Sequence, residues 1–186
     1  SVVAGAAGFI GAHCCAALTR RGHDVTGVDN FNAYYTPALK QARVEHLAAQ
    51  ARVHDIDIND HTALTALLDD VKPSVVVHLA AQAGVRYSFE APLEYANSNL
   101  LGQVSVLEAT RKQASVNRLI YASSSSVYSG VSTVPFTEDM KLGTPKSLYA
   151  ATKIADEVLS DTYSSLYGLD AIGLRFFTVY GPWGRP

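Results

Sequence analysis

Short apolar runs recur along the chain at Ser1–Ala4, Asp24–Val28, Arg52–Ile56, Ser74–Leu79, Arg118–Ala122 and Ala171–Phe177. Between them lie longer stretches with apolar residues at helical spacing: Phe9–Arg21, Pro37–Gln50, His61–Val71, Glu94–Gln113 and Ser147–Tyr167. The short runs lack in–out alternation, as expected of parallel strands covered by helices on both faces. The pattern predicts an α/β domain with six strands in a doubly wound parallel sheet. Punctuation agrees: Gly22 and Gly168 stand just past two helices, where a left-handed cap is favoured, and Pro73 follows a third. In such a sheet the ligand crevice lies at the carboxyl ends of the strands. Tyr149 then falls at the start of the last helix, with Ser123 and Ser124 at the end of the fifth strand, all facing that crevice.

Composition narrows this picture. With 186 residues, 48% hydrophobic and 17% charged, the chain can bury one good core and is not of disordered type. A formal net charge of −2 gives no general attraction for nucleic acid or an anionic membrane. No apolar segment is long enough to cross a bilayer, and a soluble, cytoplasmic protein is expected. Cys14 and Cys15 are neighbours on a helix and point in different directions, so they read as free packing residues. Metal-ligand spacing is absent. Both ends read as cut: Ser1–Ala4 runs straight into a glycine motif, and 177–186 reads as the beginning of a substrate-binding region. One domain spanning 1–186 is expected, truncated at both ends.

That motif, Gly5-Ala6-Ala7-Gly8-Phe9-Ile10-Gly11, follows the first strand and opens a helix. Glycines there let the backbone turn sharply and approach a pyrophosphate, whose charge meets the helix N-terminus. Asp29 ends the second strand, 18 residues beyond Gly11, where a carboxylate accepts hydrogen bonds from ribose hydroxyls and repels a 2′-phosphate. Asn30-Phe31-Asn32 offers no arginine to such a phosphate, which favours NAD over NADP. The sheet is therefore expected to be Rossmann-type. Asp57-Ile58 and Leu79-Ala80-Ala81, after the third and fourth strands, continue along the same crevice.

Tyr149 and Lys153 lie four apart on a helix and share a face. A phenol is a poor base at neutral pH unless a cation stabilises its anion. A close ammonium supplies roughly 4 kcal/mol at an effective dielectric near 20, enough for that purpose. Beside a dinucleotide site, the pair suggests reversible oxidation of an alcohol. His78, late in an apolar strand, reads as a satisfied core histidine.

With glycine motif, serine run and Tyr-x-x-x-Lys in order, the chain resembles the extended short-chain dehydrogenase/reductase family. Within that family it looks like the nucleotide-sugar 4-epimerases, most of all the UDP-glucuronate 4-epimerases. The closer match rests on Asp29 to Tyr35, His78 to Ser88, Tyr121 to Tyr128, Ser147 to Lys153 and Leu174 to Pro186. Ala4 and Ser129 depart from the threonine and glycine usual at those positions. The resemblance also implies a C-terminal substrate domain that is missing here, so an isolated fragment could be inactive.

By resemblance, NAD is recycled within each turnover through a transient 4-keto sugar. Tyr149 would take the proton from the sugar 4-hydroxyl, Lys153 would make the phenol more acidic and bind the nicotinamide ribose, and Ser124 would hydrogen-bond the sugar oxygen. Gly5, Gly8, Phe9, Ile10, Gly11, Asp29, Asn30, Asn32, Asp57, Ile58, Leu79, Ala80, Ala81, Gln82, Asn99, Tyr149, Lys153 and Phe177 would contact the cofactor. Arg86, Ser124, Ser125, Ser126, Tyr149, Thr178 and Arg185 would contact a UDP-sugar. Ser125 and Ser126 stand where related dehydratases and decarboxylases carry acids, which favours an epimerase of UDP-glucuronate and UDP-galacturonate. A neutral UDP-hexose epimerase and a non-catalytic NAD-binding module remain open. The family also pairs two long helices across a homodimer interface, here 94–113 and 147–167, with Leu100, Leu101, Val104 and Leu107 on the shared face.

Overall fold

The computed structural model describes residues 1–184. Six strands, β1 (Val2–Ala4), β2 (Thr26–Asp29), β3 (Arg52–Asp55), β4 (Val75–His78), β5 (Arg118–Ser124) and β6 (Ala171–Phe176), form one parallel sheet in the order β3-β2-β1-β4-β5-β6. The order reverses between β1 and β4, which opens a crevice at their carboxyl ends. The Rossmann-type sheet read from the sequence is therefore present.

Helices α1 (Phe9–Arg20), α2 (Pro37–His46), α3 (His61–Val71), α6 (Gly102–Arg111) and α7 (Leu148–Tyr167) lie near the expected spans. Two short helices, α4 (Tyr87–Glu90) and α5 (Pro92–Tyr95), were not legible as separate elements. A π-helical stretch, Ala96–Leu101, joins α5 to α6 inside what reads as one helix. It adds a residue to a turn and so rotates the faces of α6 relative to α5. Leu107 is fully buried in the core with Leu64, Leu68 and Leu119, which removes it from the face expected to be shared with Leu100, Leu101 and Val104.

The core has two halves, one on each face of the sheet. Val2 and Ala4 turn to the side of α3 and α6, while Val3 turns to the side of Cys15 and Val25. Coverage is not uniform, however. Edge strands β3 and β6 are largely exposed, and apolar Ile172, Leu174, Phe177, Val179 and Tyr180 stand open to solvent. Cys14 and Cys15 are free, and burial raises both thiols, Cys15 to about 12, so neither is poised to react. Among the described residues no helix is long and apolar enough to cross a membrane.

Close backbone packing fixes the turn between β1 and α1. Gly5 adopts φ +83°, a left-handed conformation that disfavours a side chain. A Cβ on Gly11 would sit 1.9 Å from the Gly5 carbonyl oxygen, so the helix can lie on this turn only if residue 11 has none.

Candidate active site

A cleft of about 750 Å³ opens at the carboxyl ends of the strands, on the topological switch. Its floor is the glycine turn, and α1 begins there. Gly8 precedes the helix in extended conformation, no side chain caps it, and no acid stands in its first turn. The first amides of a helix have no partner within it, so this end presents uncancelled positive polarity to the cleft. Such a floor suits a pyrophosphate.

At one end of the cleft Asp29 is buried, its oxygens accepting hydrogen bonds from the backbone N–H of Ala7 (3.0 Å) and Phe31 (2.9 Å). A carboxylate has roughly four acceptor sites, so two remain for ribose hydroxyls. Asn30 and Asn32 line this end, but their side chains also shape it. Asn30 Nδ2 donates to Asp57 Oδ2 at 2.8 Å, and its Oδ1 accepts from the backbone N–H of Asn32. Asp57 also accepts from the Asn59 backbone at 2.8 Å, so it secures the turn after β3 while facing the cleft beside Ile58.

Sequence reasoning missed two cations here. Lys40 places its ammonium 3.7 Å from Asp29, and burial lowers its pKa, with Asp29 opposing. Arg43, fully buried one turn on, donates to the carbonyl oxygens of Trp183 (2.9 Å) and Ala7 (3.4 Å) and to the Tyr35 hydroxyl. It ties the chain after β6 to the glycine turn. Only their spacing on a surface-looking helix marked them, and a search for phosphate-binding arginines within 30–32 passes them by.

Past the glycine turn, Leu79, Ala80, Ala81 and Gln82 line the cleft. Asn99, expected to contact the cofactor, is not among the lining residues. It is buried, and its amide accepts from Gln82 N (2.8 Å) and donates to Gln82 O (3.2 Å) and Thr152 Oγ1 (3.0 Å). Asn99 positions that loop.

At the far end the catalytic candidates come together. Ser147 caps α7 by accepting from the Ala150 amide at 3.1 Å, so Tyr149 lies in the first turn and Lys153 one turn later. The Tyr149 ring stands edge-on to Tyr95, with centroids 6.2 Å apart, and its hydroxyl has no hydrogen-bond partner among the described residues. Lys153 is buried and donates to Ala122 O (3.0 Å) and Asp156 Oδ2 (2.9 Å). Ser124 Oγ accepts from the Ser126 amide at 3.1 Å, leaving its own proton to be donated into the cleft.

Ser125 and Ser126 also line the cleft, on a 3₁₀ turn (Ser125–Tyr128). Ser123 is different: its hydroxyl donates to Glu157 at 2.5 Å, so only Ser124 of that pair offers its hydroxyl to the crevice. Glu157 in turn accepts a bidentate contact from Arg175, which braces α7 against β6. His78 is buried, but its Nδ1 has no hydrogen-bond partner among the described residues, so it is not the satisfied core residue expected. Burial, then Lys153, pushes its pKa down to about 3, which keeps it neutral.

Phe177 and Thr178 line the cleft, both exposed. Arg86 is exposed, precedes α4 and is not among the lining residues. Arg185 lies outside the described residues. Among those described, no cluster of three His, Cys, Asp or Glu side chains is placed to hold a metal.

A family model described as the NAD dependent epimerase/dehydratase family matches residues 1–186. The chain belongs to that family. Along its whole length it is 51% identical to UDP-glucuronate 4-epimerase 3 of Arabidopsis thaliana, and it spans 43% of that relative. It superposes over its full length on UDP-glucuronic acid 4-epimerase from Bacillus cereus, solved with UDP-glucuronic acid and NAD, at a TM-score of 0.90 and 36% identity, covering 58% of that chain. UDP-glucose 4-epimerase from Thermus thermophilus, solved with NAD, matches the whole chain at a TM-score of 0.88 and 34% identity, with 57% of that chain covered. Members of the epimerase/dehydratase family depend on NAD, and the cleft fits that cofactor: an uncapped helix terminus for the pyrophosphate, a carboxylate with free acceptor sites at one end, and a phenol and an ammonium at the other.

Proposed function

We propose that the protein is an NAD-dependent epimerase acting at C4 of a UDP-sugar, with UDP-glucuronate and UDP-galacturonate as its pair. The observation that carries this is the meeting of an unengaged Tyr149 phenol, the Lys153 ammonium and the Ser124 hydroxyl at one end of a dinucleotide cleft. NAD, when bound, supplies the hydride acceptor and donor. Gly8 and the start of α1 bind its pyrophosphate, Asp29 its adenosine ribose, and Lys153 its nicotinamide ribose. Tyr149 removes the proton from the sugar 4-hydroxyl and later returns it, while Ser124 donates a hydrogen bond to that oxygen.

Ser125, Ser126 and Thr178 are hydroxyls in reach of the same end, and none can serve as an acid or base at neutral pH. They suit a substrate carboxylate as hydrogen-bond donors, with Arg185 and Arg86 as candidates to complete the site. The expected outcome is that the full-length protein with NAD converts UDP-glucuronate into its C4 epimer, followed by NMR, faster than it converts UDP-glucose. Preference for UDP-glucose would instead favour a neutral-hexose epimerase. Cofactor binding without turnover of either sugar would leave an NAD-binding module.

An apolar groove between the π stretch and α7, lined by Leu100, Leu101, Val104, Ile154 and Val158, supports a homodimer through these helices. Leu101 and Val158 are 55% and 60% exposed on it, an arrangement that a second copy would cover. The full-length protein is expected to sediment as a dimer, and Val158→Glu to reduce it to monomer. A wild-type monomer at micromolar concentration would remove this part of the reading. The open apolar strip from Ile172 to Tyr180 is assigned to contact with a following substrate domain.

A further inference from the structure

Lys153 does not stand alone at the wall of the cleft. Its ammonium has three protons; one goes to Ala122 O and one to Asp156 Oδ2, which leaves one for the cleft that Lys153 lines. The two side chains of the ion pair are 5% and 1% exposed. Asp156 Oδ1 is buried with no hydrogen-bond partner among the described residues. A carboxylate so enclosed and half satisfied is costly, and an apolar side chain would fill the place more cheaply. Removing that charge also changes what the neighbouring ammonium can do.

We propose that Asp156 is a positioning residue for the reaction: it anchors the Lys153 ammonium from behind and offsets part of its charge, and so sets how readily Tyr149 gives up its proton. Tyr149, Lys153 and Asp156 fall at positions i, i+4 and i+7 of α7, on one face, with the cation between phenol and carboxylate.

Most other ionisable groups around the pair are neutral or already paired. His78 of β4 is neutral. Burial pushes Tyr121 of β5 up to about 12, so it too is neutral. Burial pushes Glu157 of α7 up, but hydrogen bonds from Arg175 of β6 and from Ser123 outweigh it and keep the carboxyl ionised and paired. Asp161, a turn further along α7, adds to the rise of Tyr121. The Asn99 and Gln103 side chains facing α7 carry no charge. Burial raises the Asp156 carboxyl itself, with Lys153 opposing and the neighbouring Glu157 charge adding to the rise.

Asp156→Asn keeps an oxygen for Lys153 but removes a negative charge, so the phenolate is favoured and persists to lower pH. Seven residues of helix separate the two groups by about 10 Å. At an effective dielectric near 20 a unit charge at that range is worth about one pH unit.

This inference rests on Tyr149 as the base, and the test uses the full-length protein with NAD bound. Two readings are taken for Asp156→Asn: the acid limb of kcat/KM against pH for a UDP-sugar, and the ultraviolet titration of tyrosinate without substrate. Both are expected to move about one unit toward acid, and Asp156→Glu, which keeps the charge, to return them toward wild type. Readings that stay in place in folded Asp156→Asn overturn the inference; should that variant not fold, the smaller neutral Asp156→Ser is read in the same way. Loss of the low-pH tyrosinate signal in Tyr149→Phe, with Asp156→Asn unshifted, strikes Asp156 alone. A signal unchanged in Tyr149→Phe removes the base assignment and this inference with it.

Discussion

Tyr149→Phe is expected to lower turnover of a UDP-sugar by about 10²- to 10⁴-fold, the usual worth of a positioned acid–base group, while NAD stays bound and the fold keeps its stability. The structure makes this a clean substitution. The Tyr149 hydroxyl has no partner among the described residues, so its removal strands no buried donor or acceptor. The edge-on contact with Tyr95 belongs to the ring and survives in phenylalanine. Loss of rate with unchanged melting and unchanged NAD affinity therefore isolates the proton transfer. A variant that retains near-wild-type turnover would show that another group moves the proton. Ser124→Ala is a poorer probe, because Ser124 also caps the turn that carries Ser125 and Ser126.

Gly11→Ala acts at the other end of the cleft, through geometry alone. Its Cβ would lie 1.9 Å from the Gly5 oxygen, 2.7 Å from the Gly5 carbonyl carbon and 3.1 Å from Ala6 Cα. All three are backbone atoms, so no side chain can swing aside, and either α1 or the glycine turn has to move. Overpacking of this kind costs about 1–3 kcal/mol. Shifting the turn moves the helix N-terminus that is to meet the pyrophosphate, and a loss of about tenfold or more in NAD affinity, equivalent to about 1.4 kcal/mol, is expected by calorimetry. Gly22→Ala is the matched control. Gly22 also has positive φ, +83°, yet nothing lies within 4 Å of its Cβ position. That variant should lose about 1 kcal/mol of stability and bind NAD normally. Equal NAD binding by the Gly11 and Gly22 variants would refute the close-approach account.

Much of the sheet was legible because its signals are local. Apolar runs bounded by Gly22, Pro73 and Gly168 mark where strands and helices begin and end. Exposure of β6 was not legible, since it is mostly apolar and only sheet order places it at the edge of the strands described. The long helix before β5 also hid its π stretch. Its apolar spacing reads as continuous α-helix, and the wider turn has no sequence mark of its own.

The site divides along the same line. Gly5, Gly8, Gly11, Asp29, Ser124, Tyr149 and Lys153 stand out in the sequence because each is set by its distance from an element boundary, and the structure brings them all to one cleft. Asn99, Arg43 and Asp156 could not be assigned that way. Resemblance singled out Asn99, but only the structure shows its amide held against Gln82, and Arg43 looks like a surface cation until Trp183 and Ala7 close over it. Asp156 has the spacing of an ordinary i,i+3 surface pair with Lys153, and burial alone makes it consequential.

What the sequence determined by itself was the order of elements, the crevice they create and the residue types delivered to its edge, because short-range spacing encodes those. Tertiary structure alone decided which of these groups are already engaged and which remain open to a ligand. Hydrogen bonds across distant segments and loss of water, neither of which leaves a periodic trace in the chain, make that difference.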